Sequence, residues 1–94
     1  MAEESLTRPH MRIVYAPEFE KILKKYRKGD RRVFNQIVAQ IEKIARQPEI
    51  GKPLRHVLKS RRRVHVGSFV LIYEFHNEEL RFLDFDHHDR IYKS

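Results

Sequence analysis

The sequence predicts an α+β fold ordered β-α-α-β-β-β, a small antiparallel sheet with a helical hairpin packed on one face. Two helix-period apolar stripes lie in the first half of the chain, and apolar runs with strand character fill the second. Only tight-turn residues separate those later runs.

Met1 to His10 is polar and patternless, so residues 1–10 read as an extension and residues 11–94 as a single domain. Arg12-Ile13-Val14-Tyr15 has strand composition. Ala16-Pro17 ends it, and proline suits the first position of a helix, where its missing N–H is not needed. Phe19, Ile22, Leu23 and Tyr26 then form one stripe. Gly29 is placed for a left-handed stop, and Asp30 for an N-cap of the next helix. Phe34, Ile37, Val38, Ile41, Ile44 and Ala45 form the second stripe, closed by Pro48; Phe19, Phe34 and the isoleucines read as core. Gly51 to Pro53 reads as loop, and Leu54 to Ser60 as irregular chain or an edge strand. Arg62 to Val66 alternates polar residues with valine, Gly67-Ser68 is a tight turn, and Phe69 to Phe75 is a nearly continuous apolar strand. The next turn spans His76 to Glu79, and Leu80 to Phe85 completes an antiparallel meander. The sheet face away from the helices is expected to stay open.

Composition narrows the chemistry. Without cysteine there is no disulfide, thiolate nucleophile or sulfur-ligated metal, which fits a reducing cytoplasm. No apolar run reaches the roughly 20 residues needed to span a bilayer, so a soluble cytoplasmic protein without a membrane partner is expected. Twenty Lys and Arg against thirteen Asp and Glu give a net charge of +7. From Gly51 to Ser68 there is no acidic residue, while the first helix mixes signs. A one-signed segment suits a polyanion, because neutralised phosphates release counterions; an acidic protein would satisfy the same charges, and a charge-rich solvated surface is the plain alternative.

Near the C-terminus, His87 and His88 lie between Asp86 and Asp89. Histidine is matched to proton transfer at neutral pH, and either aspartate could orient a ring. On a strand the two rings would point to opposite faces, which argues against a shared metal. Arg62 and Arg63 must also face opposite ways. With Val64 and Val66 inward, Arg63 and His65 face outward, making Arg63 the better phosphate ligand. Tyr73 reads as core, and Tyr92 as either a base-stacking or a packing residue.

The residues Ile13-Val14-Tyr15-Ala16-Pro17-Glu18-Phe19, Gly51-Lys52-Pro53-Leu54, Arg62-x-Val64-x-Val66-Gly67, Phe69-x-Leu71-Ile72-Tyr73 and Asp86-His87-His88-Asp89-Arg90-Ile91-Tyr92, in this order, resemble the RelE/ParE toxins. The resemblance covers Met11 to Lys93. It implies the toxin of a toxin–antitoxin pair, neutralised by an acidic antitoxin. RelE-like members cut messenger RNA in the ribosomal A site without metal or cofactor; ParE-like members act on DNA gyrase. It further implies His88, Tyr92, His87 and Arg63 as candidate catalytic residues, with Arg55, Arg61, Arg62, Arg81 and Arg90 as candidate RNA-phosphate ligands. Two departures stand out. Val70 occupies the central-strand position where the nucleases usually carry arginine, and His88 occupies the place of a second arginine. A ribosome-dependent endoribonuclease, a gyrase-binding toxin and a catalytically silent binding module are the three functions in view.

Overall fold

In the computed structural model, residues 11–54 and 61–91 are described. The chain runs β1 (Arg12–Tyr15), α1 (Pro17–Gly29), α2 (Arg31–Arg46), β2 (Lys52–Pro53), β3 (Arg61–Val66), β4 (Phe69–His76), β5 (Glu79–His87) and α3 (His88–Ile91). This is the expected α+β architecture, with the helical hairpin over one face of a five-stranded sheet ordered β1-β5-β4-β3-β2.

Local signals place most elements. Pro17 opens α1, and Asp30 caps α2 by accepting from the Val33 amide. Gly29 simply ends α1 without adopting a left-handed conformation; the Asp30 N–H closes the last turn on the Tyr26 carbonyl. Gly67 does take positive φ, at the β3–β4 turn. Asn77 and Glu78 both have positive φ in the β4–β5 turn, the arrangement that matches strand twist and usually calls for Asn-Gly. Glu78 therefore carries a left-handed cost, and Glu78→Gly should stabilise the protein by about 0.5–1 kcal/mol in denaturant titration. An unchanged or lower midpoint would show that the Glu78 side chain offsets its backbone cost.

Several expectations need correction. The sheet is mixed, not antiparallel throughout: β1 pairs in parallel with β5, Ile13 opposite Leu80 and Tyr15 opposite Phe82. Turn residues reveal hairpins, but they carry no information on which edge a remote strand joins. β1 takes the free edge of β5, and there the Tyr15 ring joins those of Phe19 and Phe82. Lys52–Pro53 is not loop but a two-residue edge strand against Arg62 and Arg63, a place that tolerates proline. β5 continues two residues past Phe85, so His87 ends a strand and His88 begins a helical turn. Phe34 lies outside the core: it is half-buried, beneath the Arg31 guanidinium, in a groove shared with Tyr15 and Leu23.

The core is sandwiched between the hairpin and one sheet face. Phe19, Ile37, Ile41, Ile44 and Ala45 of the helices meet Val66, Leu71, Tyr73, Leu80, Phe82 and Phe85 of the strands. Tyr73 is fully buried, as its apolar strand predicts. Its hydroxyl donates to the Pro48 carbonyl at 2.6 Å and accepts from the Gly51 amide at 2.9 Å, tying the segment after α2 to the sheet. Burial pushes the Tyr73 phenol above its ordinary pKa. Among the described residues, no helix is long and apolar enough to cross a membrane.

Candidate functional site: the open sheet face

Strand alternation puts Leu71, Tyr73, Phe82 and Phe85 on the helix side, and so places their sequence neighbours on the other face. Register then sets out that face in rows running from β3 across β4 to β5. The first row is His65, Val70, Asp86; the second is Arg63, Ile72, Asp84; the third is Arg61, Glu74, Arg81. Toward its C-terminal half the face therefore has a basic edge, an apolar centre and an acidic edge. It is not the wholly basic surface that the charge run in β3 suggested.

The apolar centre is closed to solvent. Val70 is 0% exposed and Ile72 is also buried, although neither belongs to the main core. The Nε atoms of Arg61 and Arg63 are buried as well, so these side chains lie down over the sheet. Leu83 is the extra residue of a β-bulge, since register passes from Tyr73–Phe82 directly to Ile72–Asp84.

Asp84 is half-buried beside this bulge. Burial raises its carboxyl pKa above the ordinary value, and the Asp86 and Glu18 carboxylates raise it further, against a hydrogen bond from the Phe85 amide. Because the folded pKa is the higher one, the ionised form costs stability above it, and the cost vanishes below the unfolded value near 3.8. Asp84→Asn, which retains an acceptor for the Phe85 amide, should raise the melting temperature at pH 7. The gain should shrink as pH falls through the folded and then the unfolded pKa. A melting temperature lowered at pH 7 would contradict this.

At the C-terminal end of the face, two histidines meet. The His65 and His88 rings stack at 5.9 Å between centroids, with 27° between planes. The His88 amide donates to the Ser68 carbonyl at 2.9 Å, fixing the start of α3 against the β3–β4 turn. Asp89 stands beside both His88 and His87: its carboxylate is 3.6 Å from His88 Nδ1 and 3.9 Å from His87 Nδ1. His87 itself turns to the helix side, edge-on to Phe69, and lines a separate cleft of about 520 Å³ with Lys25, Tyr26 and Arg90. No group of side chains suited to a metal ion occurs among the described residues.

At the opposite end of the face, Arg12, Arg61 and Arg81 line a groove of about 580 Å³ together with Glu74, His76 and Glu79. Hydrogen bonds from Arg12, at 2.7 Å, and from Arg81 hold the Glu79 carboxyl below its usual range. Arg81 is thereby half-committed to a carboxylate. Arg62 faces the other way, donating to the Gly51 carbonyl at 2.7 Å and the Glu49 carbonyl at 3.1 Å.

Of the sequence-derived candidates, the structure thus brings Arg61, Arg63 and His88 to one face. Arg81 joins them at the far end, whereas Arg62, His87 and Arg90 lie elsewhere. Arg55 and Tyr92 fall outside the described residues. From sequence alone, His65 is marked only as an outward polar residue. Its signal was present: the Gly67-Ser68 turn sets His65 opposite Val70, in the row that leads to the end of β5.

This is the fold of a family of small toxins. The ParE toxin family of type II toxin–antitoxin systems matches residues 13–92, and the chain belongs to that family, within the RelE/ParE superfamily. A protein of Methanocaldococcus jannaschii named "Putative toxin RelE4" is 42% identical over 80 residues, covering 82% of this chain and 85% of that one. Among solved structures, the YoeB/ParE toxin from Agrobacterium tumefaciens superposes with a TM-score of 0.75 at 16% identity, over 83% of this chain and 99% of that one. The E. coli DinJ-YafQ toxin–antitoxin complex matches with a TM-score of 0.71 at 20% identity, over 88% and 98%. At such identities these likenesses show the fold alone.

Proposed function

We propose that this toxin is a metal-independent endoribonuclease that cuts messenger RNA in the ribosomal A site, in the cytoplasm, and that an acidic antitoxin restrains it. The observation that carries this reading is the stacked His65–His88 pair on the same sheet face as Arg63. Cleavage by the 2′-hydroxyl needs a proton taken from that oxygen, charge stabilised on the phosphorane and a proton given to the 5′-oxygen. Two imidazoles at one end of a cationic strand can divide the proton transfers, and Arg63 can face the phosphate. The backbone of the RNA would run along the basic β3 edge. Asp84 and Asp86 repel phosphate and so keep the RNA backbone to the β3 side of the face.

The wild-type protein, produced without its antitoxin, should generate new message ends on programmed ribosomes, mapped by primer extension. Cleavage should survive chelation to the extent that ribosomes keep their own magnesium. A growth-arresting protein that leaves messages intact would defeat this reading.

A second reading is a toxin that inhibits gyrase by binding it. Val70 favours it: an apolar, fully buried side chain stands where the nucleases of the resemblance carry a guanidinium. Supercoiling assays with purified gyrase separate the two.

A further inference from the structure

A cleft of about 520 Å³ opens on the helix side of the sheet, where the end of β5 meets α1. Its walls are the half-buried rings of Tyr26 and Phe69, packed edge to face at 6.2 Å, and the more exposed ring of His87. Two cations, Lys25 and Arg90, line it together with two carboxylates, Asp86 and Asp89. Formal charge therefore cancels there, which makes the cleft a poor phosphate site. A balanced, aromatic recess suits a neutral planar ligand that both donates and accepts hydrogen bonds, and its volume is that of a small-molecule site.

Three features specify that ligand. First, the cleft holds hydrogen-bonding groups of both kinds. The Asp89 amide donates to His87 Nδ1 at 3.4 Å, which in the neutral ring leaves the hydrogen on Nε2. Burial, followed by Asp86 and Asp30, pushes the Tyr26 phenol above its ordinary pKa against the pull of Arg90, so the hydroxyl keeps its proton. These donors stand beside the carboxylate acceptors. Second, the centre of the open sheet face offers a base edge nothing of the kind: Val70 and Ile72 are buried there, and neither side chain has a polar atom. Third, the cleft and the sheet face adjoin. His87 and His88 are consecutive, one on each side of the end of β5, and the Asp89 carboxylate is 3.9 Å and 3.6 Å from their Nδ1 atoms.

We infer that this cleft takes one unstacked base of the RNA strand, that of the nucleotide next to the phosphate held at His65 and His88, and reads its hydrogen-bonding edge. Single-stranded RNA is commonly recognised in this way, a base splayed out against aromatic rings and bonded at its edge. The inference rests on the proposed cleavage for its substrate, and it divides the work. Phosphates lie along β3, while base identity is sensed across the end of β5. Tyr26, Phe69 and His87 are then specificity-determining residues.

The test uses the full chain and a short single-stranded RNA with 2′-O-methyl sugars, which cannot be cut because the attacking hydroxyl is blocked. Proton NMR should show intermolecular contacts from the base at one position to the ring hydrogens of Tyr26 and Phe69. Removing that base alone, as an abasic site, should weaken binding by about ten-fold or more in fluorescence anisotropy, the usual worth of one stacked base. His87→Ala, and independently Arg90→Ala, should remove most of that difference, so that base-bearing and abasic strands bind each variant nearly alike. Arg63→Ala, on the sheet face, should weaken both strands by the same factor. Equal affinity of the wild type for base-bearing and abasic strands at every position would overturn the inference, even in a protein that cuts messages. So would a base effect that is undiminished in both cleft variants. Cleft variants that bind both strands as wild type does but lose the antitoxin would make the cleft a protein interface and overturn it as well. A base seated in the cleft of a protein that leaves messages uncut would support the cleft as a base site while removing the cleavage reading.

Discussion

Replacing His88 with alanine is expected to abolish growth arrest, lowering the rate of message cleavage on programmed ribosomes by roughly 10²–10⁴-fold, the usual cost of losing a general acid or base. The His88 side chain is about half exposed, where it stacks on His65 beside the Asp89 carboxylate, so folding and antitoxin binding should be nearly unchanged. His65→Ala should produce a loss of similar order. The double variant should be little worse than the worse single one, because residues that act as a unit are strongly non-additive. His88→Arg separates two roles for the position: a residue that stabilises phosphate charge would keep part of its activity as arginine, whereas one that must pass a proton near neutral pH would not. A cleavage rate unaltered in His88→Ala would sink the assignment.

The second large effect is on stability. Tyr73→Ala should cost about 3–5 kcal/mol, the range for emptying a buried aromatic site, which for a domain of this size approaches the whole margin of stability. Tyr73→Phe isolates the hydroxyl. It leaves the ring packed but orphans the Pro48 carbonyl and the Gly51 amide, at about 1–3 kcal/mol for each group left buried and unpaired. Gly51→Ala attacks the same joint from the other side: a Cβ there would lie 2.8 Å from the Tyr73 hydroxyl and 2.9 Å from the Arg63 carbonyl oxygen. The neighbouring strand backbone cannot easily give way, so a loss of about 1–3 kcal/mol is expected. Urea titrations of the three variants check this; a Tyr73→Phe midpoint equal to wild type would mean that water replaces the hydroxyl.

Much of this molecule is legible in the sequence because its signals are local. Pro17, Asp30, Gly67 and the two helix-period stripes act within a few residues, and they place α1, α2 and the β3–β4 hairpin. Alternation along β3 separates Arg63 from Arg62, and the structure finds Arg62 bound to loop carbonyls on the helix side. Phe34 misleads because its periodicity matches the stripe, while at the start of α2 it lies in a surface groove with Tyr15 and Leu23, beneath the Arg31 guanidinium. The candidate site was half visible. His88 and Arg63 could be nominated from residue type and order, but His65 could not be joined to them until strand register was known.

The sequence by itself determined the class of fold, the order of its longer elements and the presence of an unbalanced positive charge, since these depend on composition and on periods read over a few turns. Tertiary structure alone decided that β1 joins β5 in parallel, that His65 and His88 stack, and that Asp84 and Asp86 face the cations of β3 across an apolar strip. The reason is physical. Pairing between remote strands is chosen by which edge remains free and which side chains complete the core, and a one-residue difference in register sends every side chain to the other face.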